Sequence, residues 1–317
     1  MTAKPSATPI GVRRVPVSAA GQSTHFRAFY PSEGTPDTVT IDPWHFSAVL
    51  DGRPKSGSHG LVLISHGFDG NDLGHHLLAA DLVSRGFVVA AVQHIDDRLR
   101  IGTRDHFRLR AGEVSATLEV LLDDPLLGPV IDGERIGAFG YSLGGLTVLL
   151  AAGGVISLDR MYMHCAANAS DDPIFCALAM GQAQMAPDAT SAAPRSTPVE
   201  AAPPVPVKAI ALAAPVGVPV KETSKIEAPV LLIRAEQDAE LRSPFHAEHL
   251  RDLLGPAVTY EVEPVHHYAF ISPFPEAIAP EVGPPAQDPP GFDRAGFLTR
   301  VNARVADFFR AELAGVH

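Results

Sequence analysis

The chain has 317 residues, 46% of them hydrophobic and 19% charged, enough apolar material for one large α/β domain with a sizeable core. A net charge of −11, with no local cluster among the Lys and Arg residues, excludes a basic nucleic-acid surface. Residues 1–10 lack the apolar stretch of a secretion signal, so the expectation is a cytoplasmic protein.

Residues 11–31 alternate weakly (Val12, Val15, Val17, then Phe26, Ala28, Tyr30) and predict an antiparallel hairpin. Residues 32–59 are polar and rich in Gly, Pro and Ser, which predicts a surface connection anchored by Trp44 and Phe46. Leu61-Val62-Leu63-Ile64 is continuously apolar, as in a strand buried on both faces. A helix from about His75 to Arg85 follows, with Leu78 and Leu82 one turn apart and Gly86 as its stop. His75 and His76 receive no functional assignment. Phe87 to Val92 is the next buried strand, Ala111 to Leu122 a helix ended by Asp123-Asp124-Pro125, and Arg135 to Phe139 a further strand. Strands alternating with helices at this spacing imply a mainly parallel central sheet flanked by helices, an α/β fold formed by residues 1–317 as a single domain.

Residues 155–207 break the rhythm. They hold Met161, Met163, Met180 and Met185, and residues 181–206 carry six prolines among many alanines. This predicts a small cap-like or mobile insertion, with its methionines as gap-fillers or as an adaptable binding surface. Cys165 and Cys176 also lie here. A chain this large needs no disulfide to fold, so the residues alone favour two reduced thiols, and with only His164 beside them they make a poor metal site. The strand rhythm resumes at Val207 to Leu212 and at Pro229 to Ile233. Ser243-Pro244 opens a helix that Gly255 closes, Val258 to Val262 is a last strand, and residues 272–290, with seven prolines, form an irregular loop. Phe297, Val301, Val305 and Phe308 mark a C-terminal helix. Residues 136–158 are uncharged over 23 positions, long enough for a membrane span, but six glycines interrupt them. A buried strand, a turn and a buried helix explain the run without a bilayer.

The turn in that run is Gly140-Tyr141-Ser142-Leu143-Gly144, a G-x-S-x-G sequence between an apolar strand and an apolar helix. Glycines two residues either side of the serine let the backbone turn sharply and leave the hydroxyl at the tip. Ser142 is therefore the candidate nucleophile, which needs a base and an orienting acid. After the 229–233 strand come Glu236, Asp238 and Glu240, with Asp238 the first choice. After the 258–262 strand come His266 and His267, with His267 preferred although spacing does not separate the two. An oxyanion requires N–H donors, assigned to the backbones of Leu143, after the nucleophile, and Phe68, in the loop Ser65-His66-Gly67-Phe68-Asp69-Gly70-Asn71. His66, Tyr141, His94, Met161 and Met163 are candidate pocket residues. Metal ligation by His94, Asp96 and Asp97 is the lesser alternative to pocket lining or loop hydrogen bonding, so no metal and no cofactor is expected.

Ser65-His66-Gly67-Phe68, the segment Arg85-Gly86-Phe87-Val88-Val89-Ala90, and Arg135 through Gly145 resemble bacterial α/β-hydrolases. The resemblance is to the dienelactone hydrolase-like group related to platelet-activating factor acetylhydrolases, and it runs from about residue 11 to 313. It includes Pro229 to Ile233 leading to Asp238, and His267-Tyr268-Ala269-Phe270. The resemblance implies an α/β-hydrolase fold, the triad Ser142, Asp238 and His267, oxyanion donors at Phe68 and Leu143, and esterase or lipase-like hydrolysis of a small-molecule ester without a metal. It supports His267 over His266. Cys165 and Phe175-Cys176 resemble the paired cysteines of exported members, which implies a disulfide and export as the alternative to a cytoplasmic location. Dienelactone hydrolases proper carry cysteine at the elbow, whereas this chain has serine, which points to a different ester. Amide or peptide hydrolysis and acyl transfer use the same residues, and a binding protein on an inactive hydrolase fold is the remaining reading.

Overall fold

The structure, a computed structural model, describes residues 8–41, 43–95, 102–184, 196–201 and 203–314. Asp96, Asp97, and residues 185–195 and 202 of the Pro/Ala tail, Met185 among them, lie outside the described residues. The continuous apolar run at 61–64 is explained by its two faces: Leu61 and Leu63 enter one core, Val62 and Ile64 the other. Each such side chain contributes about 1.5–3 kcal/mol when fully buried, so neither face leaves room for a polar residue.

In chain order the strands are β1 (Ile10–Ala19), β2 (Gln22–Pro31), β3 (Asp37–Ile41), β4 (Trp44–Leu50), β5 (His59–Ser65), β6 (Val88–Val92), β7 (Ile131–Tyr141), β8 (Val155–Ile156), β9 (Ala209–Ala213), β10 (Val220–Glu222), β11 (Val230–Ala235) and β12 (Val258–Glu263). The helices are α1 (His76–Ser84), α2 (Arg104–Leu122), α3 (Leu143–Ala151), α4 (Leu158–Asn168), α5 (Pro173–Gln184), α6 (Ala247–Leu254), α7 (Ala279–Val282) and α8 (Arg294–Leu313). The main sheet runs β12-β11-β9-β7-β5-β6-β2-β1-β4-β3. From β12 to β6 all neighbours are parallel, and β2 joins β6 antiparallel. Residues of α1 and α8 pack on one face, and residues of α2, α3 and α6 on the other. The carboxyl ends of β5, β7, β11 and β12 therefore lead into one set of loops, where open α/β sheets carry their sites. No helix of the described residues is long and apolar enough to cross a membrane. The uncharged run 136–158 is the end of β7, α3 and β8.

Four expectations are corrected. Residues 32–59 are not a plain connection. They hold β3 and β4, which extend the sheet beyond β1 and bury little more than Val39 and Ala48. The helix expected from Ala111 starts at Arg104, capped by the Thr103 hydroxyl, which accepts from the His106 N–H at 3.2 Å. The helix expected at Ser243-Pro244 starts at Ala247. Cys165 and Cys176 are not thiols but a disulfide between α4 and α5, with Cα atoms 5.2 Å apart. Beside it, the Asp172 carboxylate accepts from His164 Nε2 and His246 Nε2, both at 2.9 Å, and so ties this helical pair to the turn before α6. Burial works to raise the Asp172 pKa, but the bonds and charge of His246 and the bond from His164 outweigh it and hold the carboxyl low.

Candidate active site

The elbow forms where β7 meets α3. Ser142 has φ 54° and ψ −120°, a left-handed backbone that costs a non-glycine residue about 1–3 kcal/mol and persists only when its surroundings hold it. They do so at three points. The Ser142 N–H donates to Ala213 O, and the Ser142 carbonyl accepts from the N–H groups of Gly145 and Val216, each at 3.0 Å. Close approach dictates the flanking glycines. A β-carbon at Gly140 would stand 2.5 Å from the Gly144 carbonyl, and one at Gly144 would stand 2.0 Å from the Ser65 carbonyl.

The histidine and the acid arrive from neighbouring parallel strands. The loops after β11 and β12 are laced together by Glu236 N–H to Glu263 O at 2.8 Å and Gln237 N–H to Val265 O at 3.0 Å. His267 begins a 3-10 turn, and its Nε2 lies 3.0 Å from Ser142 Oγ. Its Nδ1 donates to Asp238 Oδ2 at 2.7 Å. The other Asp238 oxygen accepts from the Glu240 and Leu241 N–H groups at 2.9 and 2.8 Å. The carboxylate is thus fixed from both sides and holds the imidazole with its Nε2 lone pair toward the serine. The adjacent His266 turns away, to Asp288 at 3.1 Å. Tyr141 steadies the histidine loop: its hydroxyl donates to the His267 carbonyl at 3.2 Å.

Ser142 and His267 open on a cavity of about 630 Å³. Its lining includes Met161, Phe175, Leu178 and Val216 from α4, α5 and the loop after β9, together with Trp44, Ile271 and Phe274. Of the pocket candidates, His66, Tyr141 and Met161 line this cavity. His94 and Met163 do not. His94 is buried among polar groups behind the loop, and Met163 is 72% exposed on the outer face of α4. Phe68 lines the cavity, and Leu143, the first residue of α3, follows Ser142 directly. The far end of the Phe68 loop is held by the Asp72 carboxylate, in ion pairs with Arg27 at 3.0 Å and His25 at 3.1 Å.

Sequence reasoning missed three contributors. Trp44 reaches the cavity from β4 and packs on Phe274 with centroids 5.9 Å apart. His75 lines the cavity edge-on to Phe139 and Tyr141, both at 5.3 Å, and burial, with His66 adding to it, pushes its pKa down to about 3. Tyr268 also lines the cavity, beside Glu240, and burial together with that carboxylate pushes its phenol well up. None carries a local pattern that separates it from a packing residue. A second Ser–His–acid set also exists: His94 Nε2 is 2.8 Å from Ser65 Oγ and Nδ1 is 2.6 Å from Glu113 Oε2. Its members are buried and none of them lines the cavity, which is what distinguishes it from the set at Ser142. Among the described residues, His164, Asp172 and Cys176 group within metal-binding reach, but the sulfur is in the disulfide and Asp172 is engaged by two histidines.

This sheet order, with a serine on a strained strand-to-helix turn below the loops after β11 and β12, is the α/β-hydrolase fold. No family model and no curated protein matches the chain. Solved structures do. A ferulic acid esterase from Streptomyces cinnamoneus aligns with a TM-score of 0.63 at 19% identity, over 99% of this chain and 93% of its own. A dienelactone hydrolase-like promiscuous phosphotriesterase from metagenomic libraries aligns with a TM-score of 0.55 at 15% identity, over 96% of this chain and 99% of its own.

Proposed function

We propose that the protein is a serine hydrolase of carboxylic esters working through an acyl-enzyme on Ser142. The observation that carries this reading is the hydrogen-bonded series from Ser142 through His267 to Asp238 at the floor of an apolar cavity. Ser142 Oγ attacks the acyl carbon while His267 Nε2 takes its proton, and Asp238 stabilises the imidazolium without itself accepting the proton. The oxyanion is held by the N–H groups of Phe68 and Leu143, the second with the α3 dipole behind it. His267 then protonates the departing alkoxide, and a water deprotonated by the same imidazole releases the acid. The solved structures of like fold include an esterase, which favours esters over amides. The disulfide favours the exported alternative, since such bonds persist mainly in oxidising compartments.

A panel of p-nitrophenyl esters of rising chain length, with the matching anilide, tests the reading. Esters should be turned over, the anilide far more slowly, and Ser142→Ala should lose several orders of magnitude in kcat. His267→Ala should lose far more activity than His266→Ala. An active Ser142→Ala enzyme would sink the assignment.

A further inference from the structure

We propose that His66 is a positioning residue which, through its tautomer, aims the Phe68 N–H at the oxyanion, and that the buried His94–Glu113 pair holds it there. The inference rests on the esterase reading above. It begins with His66 Nε2, which lies 3.1 Å from the His94 backbone nitrogen. A backbone N–H only donates, so Nε2 accepts, and in the neutral ring the hydrogen sits on Nδ1. Nδ1 is 2.7 Å from the carbonyl oxygen of Gly67, to which it donates. In a trans peptide the carbonyl and the following N–H point in opposite directions. Pinning the Gly67 carbonyl to the imidazole therefore turns the Phe68 N–H, on the same peptide plane, to the other side.

The loop is close enough for this to matter. A β-carbon on Gly67 would stand 3.2 Å from the Ser142 β-carbon, so the peptide lies directly over the nucleophile. The remaining contacts lock the arrangement. Arg110, fully buried on α2, donates to the His66 carbonyl and through Nε to Thr147 Oγ1 on α3 at 3.0 Å. His94 is held between Ser65 Oγ and Glu113 Oε2, and the next N–H, that of Ile95, donates to Glu113 Oε1 at 3.1 Å. The second Ser–His–acid set thus becomes the frame of the first. It fixes the end of β6 so that the His94 N–H meets His66, and it links α2 to the oxyanion loop.

Two substitutions separate the functions of the two ring nitrogens. His66→Asn puts an amide N–H where Nδ1–H stands and leaves the His94 N–H without its acceptor. His66→Gln puts a carbonyl oxygen near Nε2 and no donor near Nδ1. The proposal expects His66→Asn, which keeps the donor to the Gly67 carbonyl but loses the contact to His94, to lose about tenfold less kcat for p-nitrophenyl butyrate than His66→Gln while its Tm falls. His66→Gln should show a Tm no lower than that of His66→Asn yet lose about 10²-fold in kcat at little-changed KM, as for a lost oxyanion donor. Its affinity for an aryl boronic acid, which forms a tetrahedral adduct on serine, should fall in step with kcat/KM. Full kcat in His66→Gln, or equal loss in both variants tracking Tm, overturns the proposal. Nitrogen-15 NMR of the wild-type protein gives a test free of folding defects: the ring proton on Nδ1 supports it and a ring proton on Nε2 overturns it. Ser142→Ala in the same assay keeps the two ideas apart. Turnover by that variant defeats the esterase reading, whereas an inactive Ser142→Ala beside a fully active His66→Gln defeats this inference alone.

Discussion

Gly144→Ala perturbs the elbow at its tightest point. The new β-carbon would stand 2.0 Å from the Ser65 carbonyl oxygen and 2.7 Å from that of His66, and real β-carbons essentially never come within 3.0 Å. Both neighbours are backbone, so no side-chain rotation relieves the clash; the start of α3 must move about 1 Å from the end of β5. Those two ends carry the Leu143 N–H and the loop to Phe68, so the shift separates the two proposed oxyanion donors. A misplacement of about 1 Å at reacting groups costs on the order of 10²-fold in rate, about 2.7 kcal/mol of barrier. Overpacking should also lower stability by about 1–3 kcal/mol. The assay is kcat on a p-nitrophenyl ester with Tm by calorimetry. Gly112→Ala, in the middle of α2 with nothing within 4 Å of its new methyl, is the control. It should leave kcat unchanged and gain about 0.5–1 kcal/mol of stability. Wild-type kcat and Tm in Gly144→Ala would refute the close contact and the account of the elbow built on it.

Asp238→Asn should lower kcat by about 10³–10⁴-fold, because it removes the carboxylate that orients His267, while Glu236→Gln should leave kcat near wild type; equal effects would reassign the acid. Opening the Cys165–Cys176 bond releases a loop with a sequence separation of 11, which on chain-entropy grounds costs roughly 2.8 kcal/mol. An unchanged Tm with and without reductant would contradict the bond. His75 gives a pH signature. Its pKa is about 3 in the folded protein against 6.5 for the free side chain, so the unfolded chain takes up the proton first. Stability from this group is complete above about pH 6.5 and falls by up to ~1.4 kcal/mol per pH unit as the pH drops toward 3. Urea unfolding at pH 7 and pH 5 should show a shallower loss in His75→Asn, which keeps an amide donor for the Phe270 carbonyl; identical slopes would show that His75 is not held neutral.

The sequence made the elbow readable because its glycines, flanking strand and following helix are all local. Asp238 and His267 were readable as positions, since parallel strands ending in apolar runs fix where the later loops must emerge. Spacing did not separate His266 from His267, because adjacent residues at the mouth of a 3-10 turn face opposite ways and only the turn decides which meets Ser142; the support for His267 came from the family resemblance. The β3–β4 hairpin escaped because it forms the sheet's edge and buries so few side chains that neither strand shows an apolar rhythm. The first turns of α2 escaped for the opposite reason: Arg104, His106 and Arg110 are buried although polar, so hydrophobic periodicity fails there. The disulfide depends on how α4 and α5 pack, and no spacing rule reports that.

The most direct test of the central claim is to treat the protein with a fluorophosphonate and locate the adduct by mass spectrometry. The account predicts one adduct per chain, mapped to Ser142, absent from Ser142→Ala and formed far more slowly in His267→Ala. An adduct on another residue, or ester turnover that persists after Ser142 is fully blocked, would contradict it.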